Sequence, residues 1–363
     1  MSIVAPSTSR RGAAFASAGI VAIAITASSA SGQSMGPDFE GSYQIFDLGN
    51  IQGVPPSYGG ISVDPNDPSR LLLGGRANNP DAAIYSVCLV RDGNGHIIGL
   101  DCDAPEYFAS SPQIDGGLDF APNGTILYTT YSSNTMGEIL PGQSGPTTAL
   151  DLDGYGIAPS TGTLRVVPAG FPGAGRLKIC SYSANRWYDC TLFPVGDGLW
   201  DISVDPDSIQ LTEFDAGGPE GIAYVPIGSA AFPVPSVLIS MYSSSQIWSF
   251  EIDSNGDPIV ETKRIFVTGL AGTEGAAIDP VTGDFLFSQF GSGFDHVFRV
   301  SGFAQPPCTA DFDDSNTVDG DDLGTLLGDW NTTTGSQADL NGDGLVDGDD
   351  LGTLLGQWGP CSV

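Results

Sequence analysis

Between about residues 38 and 303 the chain repeats one pattern of apolar and polar positions. A glycine leads a short apolar run, a proline or polar turn ends it, and a second apolar run follows. Gly60-Ile61-Ser62-Val63-Asp64-Pro65 leads to Leu71-Leu72-Leu73, and Gly117-Leu118-Asp119-Phe120-Ala121-Pro122 leads to Thr125-Ile126-Leu127-Tyr128. Leu164-Arg165-Val166-Val167-Pro168, with Gly156 as its nearest leading glycine, goes on to Leu177-Lys178-Ile179-Cys180-Ser181-Tyr182. Gly221-Ile222-Ala223-Tyr224-Val225-Pro226 leads to Val237-Leu238-Ile239-Ser240-Met241-Tyr242, and Gly275-Ala276-Ala277-Ile278-Asp279-Pro280 to Phe285-Leu286-Phe287. Short apolar runs bounded by turn residues predict strands. Further runs, such as Ile247–Phe250, Ile265–Val267 and Val297–Val300, supply third and fourth strands. A phrase spacing of about 46 to 58 residues suits four short strands per unit.

Radial repetition of four-stranded sheets makes a β-propeller. The expected fold is therefore mostly β, a propeller over 33–303, with a β-sandwich as the competing arrangement. Five phrases predict five blades, six being the alternative. The last unit lacks a fourth strand, and Tyr43-Gln44-Ile45-Phe46-Asp47-Leu48 is placed to supply it and close the ring.

After residue 303 the pattern changes. Residues 304–307 (Ala-Gln-Pro-Pro) read as a short, proline-stiffened linker. Residues 308–363 hold an internal duplication: 311–330 and 339–358 match at thirteen of twenty positions, 28 residues apart. The second copy has the ligand spacing of a calcium loop, with Asp339, Asn341, Asp343, Asp347 and Asp350 at positions 1, 3, 5, 9 and 12. Gly344 sits at the sharp turn, Leu345 offers its backbone carbonyl, and Val346 is expected to point toward the partner loop. Leu351, Leu354 and Leu355 predict one apolar face of a short helix. In the first copy the ligand positions are Asp311, Asp313, Ser315, Thr317 (by its carbonyl), Asp319 and Asp322. Ser315 and the turn residue Asn316 predict weaker binding there. Twelve acids and no base lie in this stretch, a density that repels itself unless cations neutralise it.

The duplicated loop and helix, with Asp at position 12, resembles a type I dockerin module with EF-hand-like loops. The resemblance implies Ca²⁺ as cofactor and a cohesin-like or cell-surface partner docked through 308–361, often in polysaccharide-degrading systems. Many dockerins carry Ser/Thr or Lys/Arg recognition residues where this chain has Gly320-Asp321 and Gly348-Asp349. The propeller phrase, notably Pro219-Glu220-Gly221-Ile222-Ala223 and Thr273-Glu274-Gly275-Ala276-Ala277, resembles gluconolactonase/senescence-marker and NHL-type propellers. In the lactonase-like families a metal polarises a substrate carbonyl and an Asp or Glu assists as acid or base.

The first 32 residues read as a secretory signal peptide. Arg10 and Arg11 precede an apolar stretch, and small residues at Ala30 and Gly32 suit cleavage before Gln33. Secretion to the periplasm, cell surface or medium is the expected destination. The strongly hydrophobic part, Ile20–Ile25, is far shorter than the roughly 20 residues of a membrane span. Six cysteines fit an oxidising compartment, and local spacing pairs Cys88 with Cys102, Cys180 with Cys190 and Cys308 with Cys361. A net charge of −31 disfavours nucleic acid and anionic lipid as partners.

Propellers bind ligands at the central channel, where innermost strands begin. Just before the leading glycines stand Gly59, Gly116, Tyr155, Glu220 and Glu274, with Asp115 one place earlier. Asp115, Glu220 and Glu274 are candidates for a divalent-metal site; the simpler expectation is that the two glutamates cap turns. Trp187, Tyr188, Tyr242 and Trp248 are candidates to stack sugar rings, though strand aromatics more commonly fill cores. His96 is expected to be solvated, and His296 beside Asp295 makes no triad without a nucleophile. No nucleophile motif identifies a catalytic residue. Two functions remain. The first is a non-catalytic propeller that recognises a glycan or protein. The second is a metal-dependent hydrolase, lactonase-like or acting on polysaccharide, presented by its tail. Carboxylates converging at the channel mouth would favour the second.

Overall fold

The computed structural model describes residues 1, 32–212, 217–291, 293–304, 309–313, 315, 317–332, 336–341 and 344–360. The signal-peptide stretch, most of the linker, Asp343, Cys308 and Cys361 lie outside the described residues.

Five four-stranded antiparallel sheets form the blades of a propeller. Blade one comprises Ile61–Asp64, Asp67–Gly75, Ala83–Cys88 and Glu106–Ser110. Blade two comprises Ile114–Phe120, Ile126–Thr130, Thr135–Ile139 and Thr148–Asp151. Blade three comprises Thr161–Val166, Leu177–Ser181, Arg186–Gly196 and Leu199–Val204, with Ile209–Gln210 added on the third strand. Blade four comprises Pro219–Tyr224, Ser236–Met241, Gln246–Glu251 and Arg264–Thr268, extended at its outer edge by Ser34–Met35. Blade five comprises Thr273–Ile278, Phe285–Gln289 and Val297–Ser301, and Gln44–Gly49 from the start of the chain is its outer strand. The ring thus closes as the sequence predicts, with five blades and neither six blades nor a sandwich.

The period of two along each strand divides the core among the gaps between blades. Leu71 and Leu73 pack toward blade five with Leu286 and Val297, whereas Leu72 between them packs toward blade two with Leu118 and Ile126. Five buried apolar clusters fill the five gaps in this way. Near the axis the inner strands approach too closely for side chains. A Cβ on Gly116 would lie 2.0 Å from the Glu220 carbonyl oxygen, and one on Gly221 would lie 2.4 Å from that of Glu274. Gly60, Gly117, Gly221 and Gly275, the leading glycines of four phrases, are therefore packing requirements at the axis, whereas a Cβ on Gly156 would meet nothing within 4 Å.

Cys88 and Cys102 form the expected disulfide. It closes the neck of an insertion in blade one whose hairpin, Val90–Arg91 with Ile97–Gly99, rests on blade five. Arg91 forks onto Asp279 at 2.7 and 2.9 Å, and His96 Nδ1 lies 2.7 Å from Asp284. His96 is thus part of an inter-blade clamp, contrary to its expected solvation. We expect a Cys88→Ser/Cys102→Ser variant to lose about 3 kcal/mol, the loop-closure value for this separation. Melting with and without reductant checks it: reductant should lower the wild-type midpoint to that of the variant and leave the variant unmoved.

The second expected pair is corrected. Cys180 and Cys190 are free and buried. Cys180 lies opposite Trp187 and Cys190 opposite Leu177, so the ladder sets them three rungs apart, about 10 Å. Their side chains also enter different gaps, Cys180 toward blade four and Cys190 toward blade two. A disulfide cannot span that.

The C-terminal segment contains the two α-helices of the described residues, Gly320–Gly328 and Gly348–Gly356. Ala310, Val318 and Leu326 share a small buried cluster with their counterparts Ala338, Val346 and Leu354. Val346 points inward as expected, but the apolar helix face is narrower than its sequence suggests: Leu354 is buried while Leu355 is 52% exposed. No helix among the described residues is long and apolar enough to cross a membrane.

Candidate functional site

The inner strands of blades two, four and five each bring one carboxylate to the same level of the axis. These are Asp115, Glu220 and Glu274, all at most 5% exposed. One ligand oxygen from each lies within 4.8 Å of the others. Glu220 and Glu274 stand on strands and cap no turn. In blade three the equivalent place is held by Gly162, where a Cβ would come within 2.5 Å of Glu220 Oε2. Tyr155, which the third phrase had offered, lies instead in a 3-10 turn, Leu152–Tyr155, and donates to Asp201 at 2.6 Å. In the third blade Gly162 stands where Glu220 stands in the fourth, and Thr163 takes the place of the leading glycine.

Burial holds all three carboxyls well above the ordinary range; Asp115 raises Glu220 further, and Glu220 and Asp115 together raise Glu274. Asp115 is pushed up to about 7 by desolvation, against hydrogen bonds from Glu274, Asn78 and the Gly116 backbone that favour its charged form. No Lys, Arg or His is among the residues lining the pocket. Glu220 Oε2 and Asn78 Oδ1 are buried without a hydrogen-bond partner. Converging acceptors of this kind require protons or a cation. The donors are all oxygens, which suits a hard cation such as Ca²⁺, Mg²⁺ or Mn²⁺ and not zinc.

The carboxylates form the base of a pocket of about 240 Å³. Its walls carry Tyr131, Tyr182, Tyr242 and Phe290, each the first residue after the second strand of its blade. Tyr182 and Tyr242 meet edge to face at 6.1 Å, as do Tyr242 and Phe290 at 6.3 Å. Further along the same inner strands, Arg165 crosses the axis. It donates to Asp119 at 3.1 Å, to the Ile222 carbonyl at 3.0 Å and to the Ala276 carbonyl. This side chain, from blade three, thus links blades two, four and five.

Trp187, Tyr188 and Trp248 are buried in inter-blade clusters, as strand aromatics commonly are, whereas Tyr242 reaches the pocket. His296 pairs with Asp47 at 2.9 Å, away from this site, and its neighbour Asp295 accepts from the Ser57 backbone. The rim aromatics Tyr131, Tyr182 and Phe290 went unread in the sequence. Their signal was positional: an aromatic follows the second apolar run in four phrases of five.

In the C-terminal segment Asp311, Asp313 and Asp322 bring oxygens within 4.8 Å of one another. Asp311 and Asp313 both accept from the Ser315 backbone, and the Thr317 carbonyl accepts from the Ser315 hydroxyl. Asp322 and Asp350 are fully buried. Asp322 accepts from the backbones of Phe312 and Asp319, and Asp350 from those of Leu340, Asn341 and Asp347. Asp319 and Asp347 cap the two helices, and Asp339 accepts from the Gly344 backbone. Leu345 lies beside the buried Val346 at the second loop.

No protein-family model matches the chain, and no curated sequence is similar to it. Solved structures similar to it include a streptogramin B lyase, 12% identical, covering 71% of this chain and 97% of that one with a TM-score of 0.35. A PQQ-bound aldose sugar dehydrogenase from Streptomyces coelicolor is 15% identical, with 70% and 83% covered and a TM-score of 0.37. A protein of unknown function from Bacteroides thetaiotaomicron is 9% identical, with 74% and 76% covered and a TM-score of 0.41. The assignment to the five-bladed propellers rests on the chain's own sheets.

Proposed function

We propose that the protein is an exported, metal-dependent hydrolase whose chemistry lies at the propeller axis and whose C-terminal segment is a calcium-binding, dockerin-like tail. The observation that carries the catalytic part is the convergence of Asp115, Glu220 and Glu274, without a counter-cation, at the base of an aromatic-walled pocket. This supports the hydrolase over a non-catalytic recognition domain, because a cation held by three buried carboxylates can polarise a bound carbonyl. Asp115, Glu220, Glu274 and the unpartnered Asn78 Oδ1 would hold the cation. A bound divalent cation supplies polarisation of a carbonyl and a more acidic water. Asn78 and the Gly116 backbone hydrogen-bond to Asp115, which would accept the proton of an attacking water. The aromatic walls restrict solvent around it. The reaction class is hydrolysis of an ester or lactone.

The test is release of acid from small esters and lactones by the full-length protein, after chelation and after return of Ca²⁺ or Mn²⁺. Turnover that follows the cation and disappears in Glu274→Gln supports the proposal. Cation binding at the axis without turnover on any ester or lactone would return the propeller to a recognition role.

For the tail, the supporting features are the duplicated ligand spacing and the buried Asp322 and Asp350 that tie each loop to its helix. Asp350→Ala is expected to lower the Ca²⁺ stoichiometry of the full chain by one and to reduce the helical signal gained on adding Ca²⁺. Calorimetry and circular dichroism check this, and unchanged stoichiometry would remove calcium from the second loop. Docking of this tail to a cohesin-like partner belongs to the same proposal.

A further inference from the structure

The charge and the walls of the axial pocket also say what kind of molecule it admits. Three carboxylates and one divalent cation leave a net charge of about −1 at the base. Nothing in the lining reverses that sign. Arg76 holds, in blade one, the place taken by the rim aromatics of the other four blades, since it directly follows Asp67–Gly75. It is committed elsewhere, however, paired with Asp81 at 2.8 Å, and it is absent from the pocket. The rim is therefore four aromatic rings and no cation. The volume, about 240 Å³, lies below the roughly 300–1,000 Å³ of drug-sized ligand pockets and suits a single ring. The hydroxyls of Ser160 and Ser183 add polar contacts.

We infer that the pocket selects a small polyhydroxylated ring carrying an ammonium group, an amino sugar in chemical class, over its neutral and anionic counterparts. Aromatic rims attract ammonium groups through their negative faces, and the residual charge at the base acts in the same direction. The inference rests on the axial-site reading for the location of the ligand. Without the cation the buried carboxyls hold protons, and the preference for positive charge then rests on the aromatic rim alone.

The experiment is calorimetric titration of the full-length protein, in the presence of Ca²⁺, with glucosamine, glucose and glucuronate. Affinity is expected to fall in that order, with glucosamine on the order of 100-fold tighter than glucuronate from the charge difference alone. Tyr242→Leu and Phe290→Leu, which keep apolar bulk, are expected to weaken glucosamine about 5- to 10-fold and to leave glucose nearly unchanged. Equal binding of the three rings, or tighter glucuronate, overturns the inference. A parallel Ca²⁺ titration of wild type and Glu274→Gln reports on the cation site separately, so either idea can fail alone.

Discussion

Glu220→Gln and Glu274→Gln are expected to make the chelator-treated protein more stable while abolishing cation binding at the axis. Glutamine keeps the shape of each side chain and removes one of three buried like charges. In the cation-free protein the acid groups hold their protons to higher pH when folded than when unfolded. The folded state then binds more protons than the unfolded state, so stability falls as pH rises. For Asp115 the window opens near its ordinary value of 3.8 and closes near 7. Over it the loss is roughly 4 kcal/mol. Burial and mutual repulsion carry the penalty of Glu220 and Glu274 further up the same scale. A bound divalent cation reverses the sign, and saturation at 1,000 times its Kd would return about 4 kcal/mol. The measurement is the difference in melting midpoint between wild type and Glu274→Gln from pH 4 to 8, with chelator and with Ca²⁺. The difference cancels the titration of the tail. The variant should gain on wild type as pH rises in chelator and lose to it in Ca²⁺. A Glu274→Gln protein that is less stable than wild type in chelator at pH 8 would show that the carboxylates are structural.

Much of this architecture could be read from the chain, and the places where reading failed share a physical cause. The apolar alternation located the strands because each blade buries both faces, so both parities of Leu71-Leu72-Leu73 are apolar. The glycines located the axis because backbones touch there. Ring closure by Gln44–Gly49 was legible because the last phrase was one strand short. What pattern cannot carry is register. Cys180 and Cys190 look like neighbours across a short turn, yet the ladder places them in separate gaps. Tyr155 looked like an axial residue only because Gly156, which ends a 3-10 turn, was read as the leading glycine of the third phrase. Asp115, Glu220 and Glu274 were legible as candidates near the axis, but whether the glutamates capped turns or met Asp115 depended on strands of separate blades converging, a three-dimensional fact. The rim aromatics lay in the repeat but had no meaning until the loops after the second strands proved to surround one pocket.

Lys178→Met is expected to be among the most destabilising changes in the propeller. Lys178 is fully buried and donates to Asp189 and Asp257, each at 2.6 Å, and to the Asn255 carbonyl at 2.7 Å. Trp187 Nε1 donates to the same Asp257 oxygen at 2.6 Å, and Arg176 pairs with Asp189 at 2.6 Å. The lysine belongs to blade three, and Asn255 and Asp257 belong to the loop after the third strand of blade four. One ammonium group, with the Trp187 indole N–H beside it, therefore fastens two blades across a gap whose remaining contacts are largely apolar. Methionine fills the space but leaves Asp257 buried without its cation. Breaking a buried pair in this way costs about 3–5 kcal/mol, on the order of a 10 °C fall in melting midpoint for a domain of this size. Burial already pushes the Asp257 carboxyl up despite Lys178, and loss of the ammonium pushes it further. The variant should therefore weaken as pH rises, more steeply than wild type. Asp257→Asn in the same chain removes the stranded charge and keeps an oxygen for Trp187, so the double variant should regain at least half of the loss. Melting curves of the wild type and of the single and double variants decide it. A Lys178→Met protein melting within about 2 °C of wild type, under 1 kcal/mol, would mean that the apolar contacts between blades three and four hold the seam unaided.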